Sequence, residues 1–232
     1  MTNQFLTNYT KTTFLEKIKD NLRHCKSFHF SVSFIKKAGL VLLYKDIEAA
    51  IERGCEGRII TSTYQNFTDI ESLKCFFLMA EKHDNFECHL DYECFHDVHY
   101  STLGYHTKGY LFEFDNCCEL IVGSSNITRY ALLKNIEWDV VVRDELCSDV
   151  YSQALSEFED KWDNTHCLYT DIINQYSNKL QFAIERWDMD YDFSASRIKP
   201  NFMQRRALKE LNRYRAVVNH FLGQNTPNHA FI

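Results

Sequence analysis

Apolar side chains recur along this chain at two spacings, about 3.6 residues and two residues, and the switches between them outline its elements. Thr13-Phe-Leu-Glu16 has capping-box spacing and opens an amphipathic run to about Cys25, which predicts a first helix. From Phe28 to Phe34 the period drops to two: Phe28, Phe30, Val32 and Phe34 share one face of a predicted strand, and His29, Ser31 and Ser33 the other. A helix is predicted from Leu40 to Arg53, stopping at Gly54, then a short buried strand from Arg58 to Thr61. Thr68-Asp-Ile-Glu71 repeats the capping-box spacing ahead of a helix to about Lys82, and Phe86 to Asp91 reads as a third strand.

The polar, aromatic stretch from Tyr92 to Gly104 has no period and reads as a loop. Two strands follow, Tyr105 to Phe114 and Cys117 to Gly123, joined by Asp115-Asn116, a connection of hairpin length. Ile136 to Arg143 is predicted as a strand and Ser148 to Trp162 as an amphipathic helix. This order predicts an α/β domain over residues 1–167, a mixed β-sheet flanked by helices on both faces. Beyond it, Leu168 to Trp187 and Met203 to Phe221 read as helices of a C-terminal helical extension, 168–232, that ends in a polar tail.

Composition narrows the partners. Apolar residues make up 45% of the 232 and charged residues 25%, ordinary globular usage. The net charge of −6 provides no global basic field, so any recognition of phosphate has to be local. Nine cysteines, an odd count scattered through apolar runs, do not form a disulfide framework, and a reducing, cytoplasmic setting is expected. The first residues lack a charged and an apolar leader region, and no stretch reaches the roughly 18 apolar residues of a membrane span, so no membrane partner is expected.

The candidate chemistry lies around the hairpin. On a strand, His106 and Lys108 point to one face and present an imidazole and an ammonium side by side. That pair suits a phosphodiester: the imidazole attacks phosphorus while the ammonium neutralises charge on the non-bridging oxygens. The hairpin returns Gly123-Ser124-Ser125-Asn126 to the same end, where Gly123 permits close backbone approach and Ser124 and Asn126 supply neutral donors. A nucleophilic histidine also needs an acceptor on its far nitrogen. Glu113 and Glu137 compete for this role, and strand parity places Glu113 on the opposite face and favours Glu137.

His-x-Lys, then Gly-Ser-x-Asn, then Asn135-x-Glu137 before a Val-rich strand resembles the phospholipase D superfamily in its single-motif form, in particular the small bacterial endonucleases. Phe158-Glu-Asp-Lys-Trp162 extends the similarity. The resemblance implies a His106 nucleophile, Lys108 and Asn126 as phosphate ligands, Glu137 as the group orienting His106, and Gly123, Ser124 and Ser125 in substrate binding. The usual motif has an Asp five residues after the Lys, where this chain has Glu113.

A narrower resemblance, carried by Ser31-Val-Ser-Phe-Ile, Thr61-Ser-Thr-Tyr-Gln-Asn-Phe-Thr68, His106-Thr-Lys-Gly-Tyr-Leu-Phe and Asn135-Ile-Glu-Trp-Asp, is to the phospholipase D-like domain at the N-terminus of bacterial superfamily-2, DEAD/DEAH-type helicases. There a segment like Lys199-Pro-Asn-Phe-Met-Gln204 precedes the phosphate-binding loop. This chain has no Gly-x-x-x-x-Gly-Lys-Ser/Thr, so an ATPase is excluded.

Two functions are therefore carried forward. One is a metal-independent phosphodiesterase acting on DNA through a phosphohistidine, its site shared across a homodimer because one chain supplies only one complete motif of His-x-Lys with Gly-Ser-x-Asn. The other is a catalytically silent DNA-binding module of a helicase or restriction-type system, with a helicase as partner or as a missing C-terminal region. No cofactor is expected. Cys94, His96, Asp97 and His99 offer ligand types in close succession but no paired Cys-x-x-Cys, so no metal is expected either.

Overall fold

In the computed structural model, which describes residues 3–91, 104–144 and 149–189, with side chains as far as 181, the backbone pairs into a single mixed sheet. In chain order the elements are β1 (Gln4–Leu6), α1 (Phe14–His24), β2 (Ser27–Val32), α2 (Lys37–Leu40), α3 (Tyr44–Glu52), β3 (Glu56–Ser62), a 3-10 turn (Tyr64–Asn66), α4 (Ile70–Lys82), β4 (Phe86–Asp91), β5 (Lys108–Glu113), β6 (Cys118–Gly123), α5 (Arg129–Leu133), β7 (Asp139–Asp144), α6 (Asp149–Asp163), β8 (His166–Cys167) and α7 (Thr170–Met189). The strand order is β1-β7-β6-β5-β2-β3-β4-β8. The chain divides into two compact units, Met1–Ile184 and Glu185–Ile232. The Tyr92 to Leu103 part of the expected loop, the Cys94 to His99 cluster, the Met203 to Phe221 helix and the Gln204 segment lie outside the described residues.

The helices cover both sheet faces, as the alternation of elements requires. On one face Phe28, Phe30 and Val32 of β2 pack with Phe14, Ile18 and Leu22 of α1, Ile47 and Ile51 of α3, and Phe76 of α4. Leu168, Ile172, Ile173 and Tyr176, around the start of α7, join that same core. On the other face, among the described residues, α6 covers the sheet: Tyr151 packs on Leu111, Cys118 and Leu120, and Phe158 and Trp162 on Ile60. Strand parity accounts for the division, since Tyr110 and Phe112 face α1 while Leu111 between them faces α6.

Local signals succeed where side chains act on their own backbone. At α1 the capping box is complete: Glu16 N donates to Thr13 Oγ1 and Thr13 N to Glu16 Oε2. At α4 the same spacing misleads. Thr68 Oγ1 donates instead to Ser62 O and accepts from Ile35 N, and the N-cap residue is Asp69, whose carboxylate holds Lys36 Nζ and Lys37 N. Tertiary partners have taken both capping groups. The Leu40 to Arg53 helix is likewise two pieces, α2 and α3. β5 and β7 each begin three residues later than expected, so His106 and Glu137 precede their strands rather than lie in them. Cys118 is disulfide-bonded, so the cysteines are not all thiols as their scatter suggested. Among the described residues no helix is long and apolar enough to cross a membrane.

One buried charge fastens α1 to the sheet. Glu119 of β6 is fully buried, and its carboxylate accepts from Lys17 Nζ at 2.8 Å, Asn21 Nδ2 at 2.8 Å and Arg143 Nη1 at 2.8 Å. Removing the carboxylate strands the buried Lys17 ammonium. Glu119→Ala is expected to cost roughly 3–5 kcal/mol by denaturant titration, and Lys17→Met with Glu119→Leu should recover most of it.

Candidate active site

β2, β3 and β4 run parallel, while β5 pairs antiparallel with β2. The carboxyl ends of β2–β4 therefore share a sheet edge with the amino end of β5, and the β5-β6-β7 meander brings the end of β6 and the start of β7 to it as well. Crevices outside the carboxyl ends of parallel strands are favoured ligand sites in α/β sheets. Here that edge carries the candidate motif.

Lys108 lies opposite Val32 in the β2–β5 ladder and is about nine-tenths buried. Its Nζ donates to Ser33 Oγ at 2.9 Å and His106 O at 3.0 Å, and lies 3.0 Å from His106 Nδ1 and 3.3 Å from Nε2. The ammonium thus faces the ring edge between the two nitrogens. Among the described residues no carboxylate lies within ion-pair distance of it. Burial pulls its pKa below the usual lysine range, opposed by the charge of Glu137. His106 itself is exposed and opens onto a cleft of about 420 Å³ lined also by Asp91, Tyr105, Lys161, Asn164 and Thr165.

Tyr64 closes one side of the imidazole, its ring edge-on at 5.9 Å. It is held from behind by Gly104, where an added Cβ would fall 2.3 Å from the Tyr64 ring. The turn that carries it holds Gln65 and Asn66 at φ 51° and 59°, a left-handed conformation that costs roughly 1–2 kcal/mol per residue outside glycine. Such strain persists where surrounding structure imposes it.

The Gly123-Ser124-Ser125-Asn126 turn is built by β7. A Cβ on Gly123 would fall 2.2 Å from Trp138 O, so the two strands approach only because this residue is glycine. Ser125 is fully buried, its hydroxyl donating to Asp139 Oδ2 at 2.6 Å and its amide to Oδ1 at 3.3 Å. Burial raises the pKa of Asp139, the Ser125 hydrogen bonds oppose the rise, and the Glu137 charge adds to it. Asn126 Oδ1 accepts from Phe34 N at 3.4 Å, beside Ser33, while its Nδ2 has no partner among the described residues.

Ser124 Oγ donates to Glu137 Oε2 and accepts from Trp138 N, and Asn135 Nδ2 donates to Glu137 Oε1 at 3.1 Å. The structure therefore brings His106 to Lys108, and Asn126 to Phe34, the neighbour of the Ser33 that accepts from Lys108. Ser124 and Glu137 form a neighbouring group whose charge reaches Lys108 but whose atoms do not touch His106. Glu113 is at the far end of β5, accepting from Ser27 Oγ.

The family model described as cardiolipin synthase, PLD-like domain, matches residues 18–162, more than half of the chain. The chain belongs to this phospholipase D-like family. Among curated proteins none matches it by sequence. Among solved structures, Nuc from Salmonella typhimurium, a phospholipase D family member, is similar with a TM-score of 0.55 at 19% identity, covering 73% of this chain and 99% of that one. NucT from Helicobacter pylori gives 0.51 at 14% identity, covering 71% and 97%. Phosphatidylserine synthase from Haemophilus influenzae Rd KW20 gives 0.53 at 14%, covering 81% and 46%. At these identities the likeness speaks for the fold.

Within this phospholipase D-like fold the motif leaves four supports unnamed: Ser33, Tyr64, Asp139, and Tyr110, whose hydroxyl donates to Ser125 O at 2.7 Å. Ser33 is the last polar-face residue of the strand predicted from Phe28 to Phe34, just past the end of β2. Tyr64 and Asp139 lie within segments that carry the narrower resemblance, but no local pattern gives them a role, because only the sheet brings them to the site.

A buried ammonium without a contacting carboxylate destabilises the fold it serves. Lys108→Met is expected to leave stability unchanged or raise it by up to about 2 kcal/mol. The sign with pH follows from the lowered pKa: the wild-type penalty is full below the folded value and fades as pH rises toward the ordinary lysine value. Denaturation of both proteins from neutral to alkaline pH should show the gap closing, and a constant gap would assign the gain to packing.

Proposed function

We propose that this chain is a phosphodiesterase that cuts DNA through a phosphohistidine at His106, without a metal ion, in a site shared by two copies of the chain. The observation that carries the proposal is the exposed imidazole of His106 set against the buried, carboxylate-free ammonium of Lys108. A phosphodiester entering the cleft supplies the missing negative charge. Lys108 Nζ and Asn126 Nδ2 bind the non-bridging oxygens, and Ser124 turns from Glu137 to a third contact. That turn frees Glu137 Oε2 to orient the imidazole. The His106 nitrogen then attacks phosphorus, forming a P–N bond as the bond to the leaving oxygen breaks.

The leaving oxygen needs a proton, and water must later be activated against the P–N bond, so a second imidazole is required. The second copy of the chain supplies it. An exposed apolar row supports this arrangement: Phe5, Val140 and Val122 lie side by side across β1, β7 and β6, and Trp138, 66% exposed, packs edge-on against Phe5. The row borders the Ser124–Trp138 contact, so pairing on it keeps two sites close.

One observation favours the second reading, a phosphate-gripping DNA module working for a helicase: Glu137 is held by Ser124 and Asn135, away from His106. Incubation with plasmid and single-stranded DNA in excess chelator separates the two. The phosphodiesterase cleaves under these conditions, and His106→Ala loses on the order of 10³-fold while still binding DNA. Binding without cleavage by the wild type supports the silent module, and cleavage that needs added magnesium refutes the mechanism. Mixing wild-type and His106→Ala chains tests the shared site: activity should fall with the square of the wild-type fraction, and a linear fall or a fully active monomer by light scattering excludes it.

A further inference from the structure

A second cluster of reactive side chains lies on the outer edge of the sheet, where the two residues of β8 pair with β4. His89 of β4 faces Cys167 of β8 directly in the ladder, and Glu87 is two residues from His89 on the same face. One ligand atom from each of Glu87, His89 and Cys167 lies within 4.8 Å of the others. Glu87 Oε2 is 3.7 Å from His89 Nε2. A tetrahedral zinc, with bonds of about 2.0–2.3 Å, holds neighbouring donors roughly 3.4–3.6 Å apart, close to the Glu87–His89 separation.

The orientation of the imidazole is the second, independent observation. His89 Nδ1 lies 3.2 Å from Trp162 O and 3.2 Å from Thr165 Oγ1, and the Thr165 hydroxyl donates its own proton to Trp162 O at 3.1 Å. A carbonyl oxygen only accepts, and the hydroxyl proton is already committed. Nδ1 therefore carries the hydrogen, and the Nε2 lone pair faces Glu87 and Cys167. Metal-bound histidines are held in this way, the far N–H donated to a carbonyl or other acceptor. Stacking on Trp162 at 3.6 Å fixes the ring plane. The other cluster of this kind, Glu48, Glu52 and His83, already holds a cation, since Lys82 Nζ is 3.1 Å from Glu48 and 3.4 Å from Glu52. Among the described residues no lysine or arginine reaches Glu87 in this way.

We infer that Glu87, His89 and Cys167 form a binding site for a thiophilic divalent cation of the zinc class, with water in the fourth position. Binding takes Cys167 as thiolate and releases its proton to solvent. The ion clips β8 to β4, a ladder of two residue pairs, and so fixes the segment between α6 and α7. Thr165 in that segment both holds His89 and lines the cleft of His106, so occupancy bears on the cleft wall without entering the reaction. The site stands apart from the phosphodiesterase proposal and survives its failure.

Cobalt(II) titration of the metal-stripped chain tests it. One equivalent should bind with a thiolate-to-cobalt charge-transfer band, zinc should displace it, and zinc should raise the melting temperature. Cys167→Ser and Glu87→Gln change exposed side chains. The first should abolish the band and the second should weaken zinc binding at least tenfold, while Glu48→Gln leaves both unchanged. A wild-type chain without the band, a band that survives Cys167→Ser, or zinc affinity equal across the variants overturns the assignment.

Discussion

An ammonium group taken out of water needs either a counter-ion or a set of acceptors, and at Lys108 the described residues provide only neutral contacts. Ser33 Oγ, the His106 carbonyl and the ring nitrogens satisfy its hydrogens without neutralising its charge. The nearest opposing charge, Glu137, is occupied by Ser124 and Asn135. Burial without neutralisation leaves a positive potential in a low-dielectric notch, which a bound anion removes. The rest of the site is arranged around that deficit: Tyr64 and Gly104 confine the imidazole, and Asp139 holds the serine turn.

The deficit can exist because the sheet changes direction at β5. Had β5 run parallel to β2, Lys108 and the turn after β6 would lie at the opposite edge from Ser33 and Tyr64. The antiparallel insertion places side chains from residues 33, 64, 106, 108 and 126 around one point, although few of them are near one another in sequence. The Glu119 cluster holds this reversal in place by tying α1 to β6 and to Arg143 in β7. There the buried Lys17 has a carboxylate at 2.8 Å, in contrast to Lys108 among the described residues.

Much of this was legible in the sequence wherever periodicity or a side chain acting on its own backbone decided the outcome. The strand at Phe28, the capping box at Thr13, the β5–β6 hairpin and the amphipathic α6 all belong to that group. β1, β8 and α5 escaped because two to five residues carry no period, and their pairing partners are distant. Thr68 misled because Ser62 O and Ile35 N competed for its hydroxyl more effectively than the helix end did. For the site, the residue types at 106, 108, 123, 124 and 126 were visible as a motif. The expected contact of Glu137 with His106 is not made in the structure, because parity arguments hold only inside strands and both residues lie just outside theirs.

The net charge of −6 looks at first like an argument against an anion site. Its weight depends on which charges are committed. Lys36 is spent on Asp69, Lys82 on Glu48 and Glu52, Arg58 on Glu159, and Lys161 on Glu157 and Asp160. These exposed pairs are screened within about one Debye length, roughly 8–10 Å in physiological salt, and Lys161, which lines the cleft, has two carboxylates beside it. Lys108 differs in being buried, unneutralised and weakly screened, so one such cation outweighs several surface acids at the distance of a bound phosphate. Under the proposed function, affinity for an anion follows from the local imbalance at the start of β5, which the composition of the whole chain does not report.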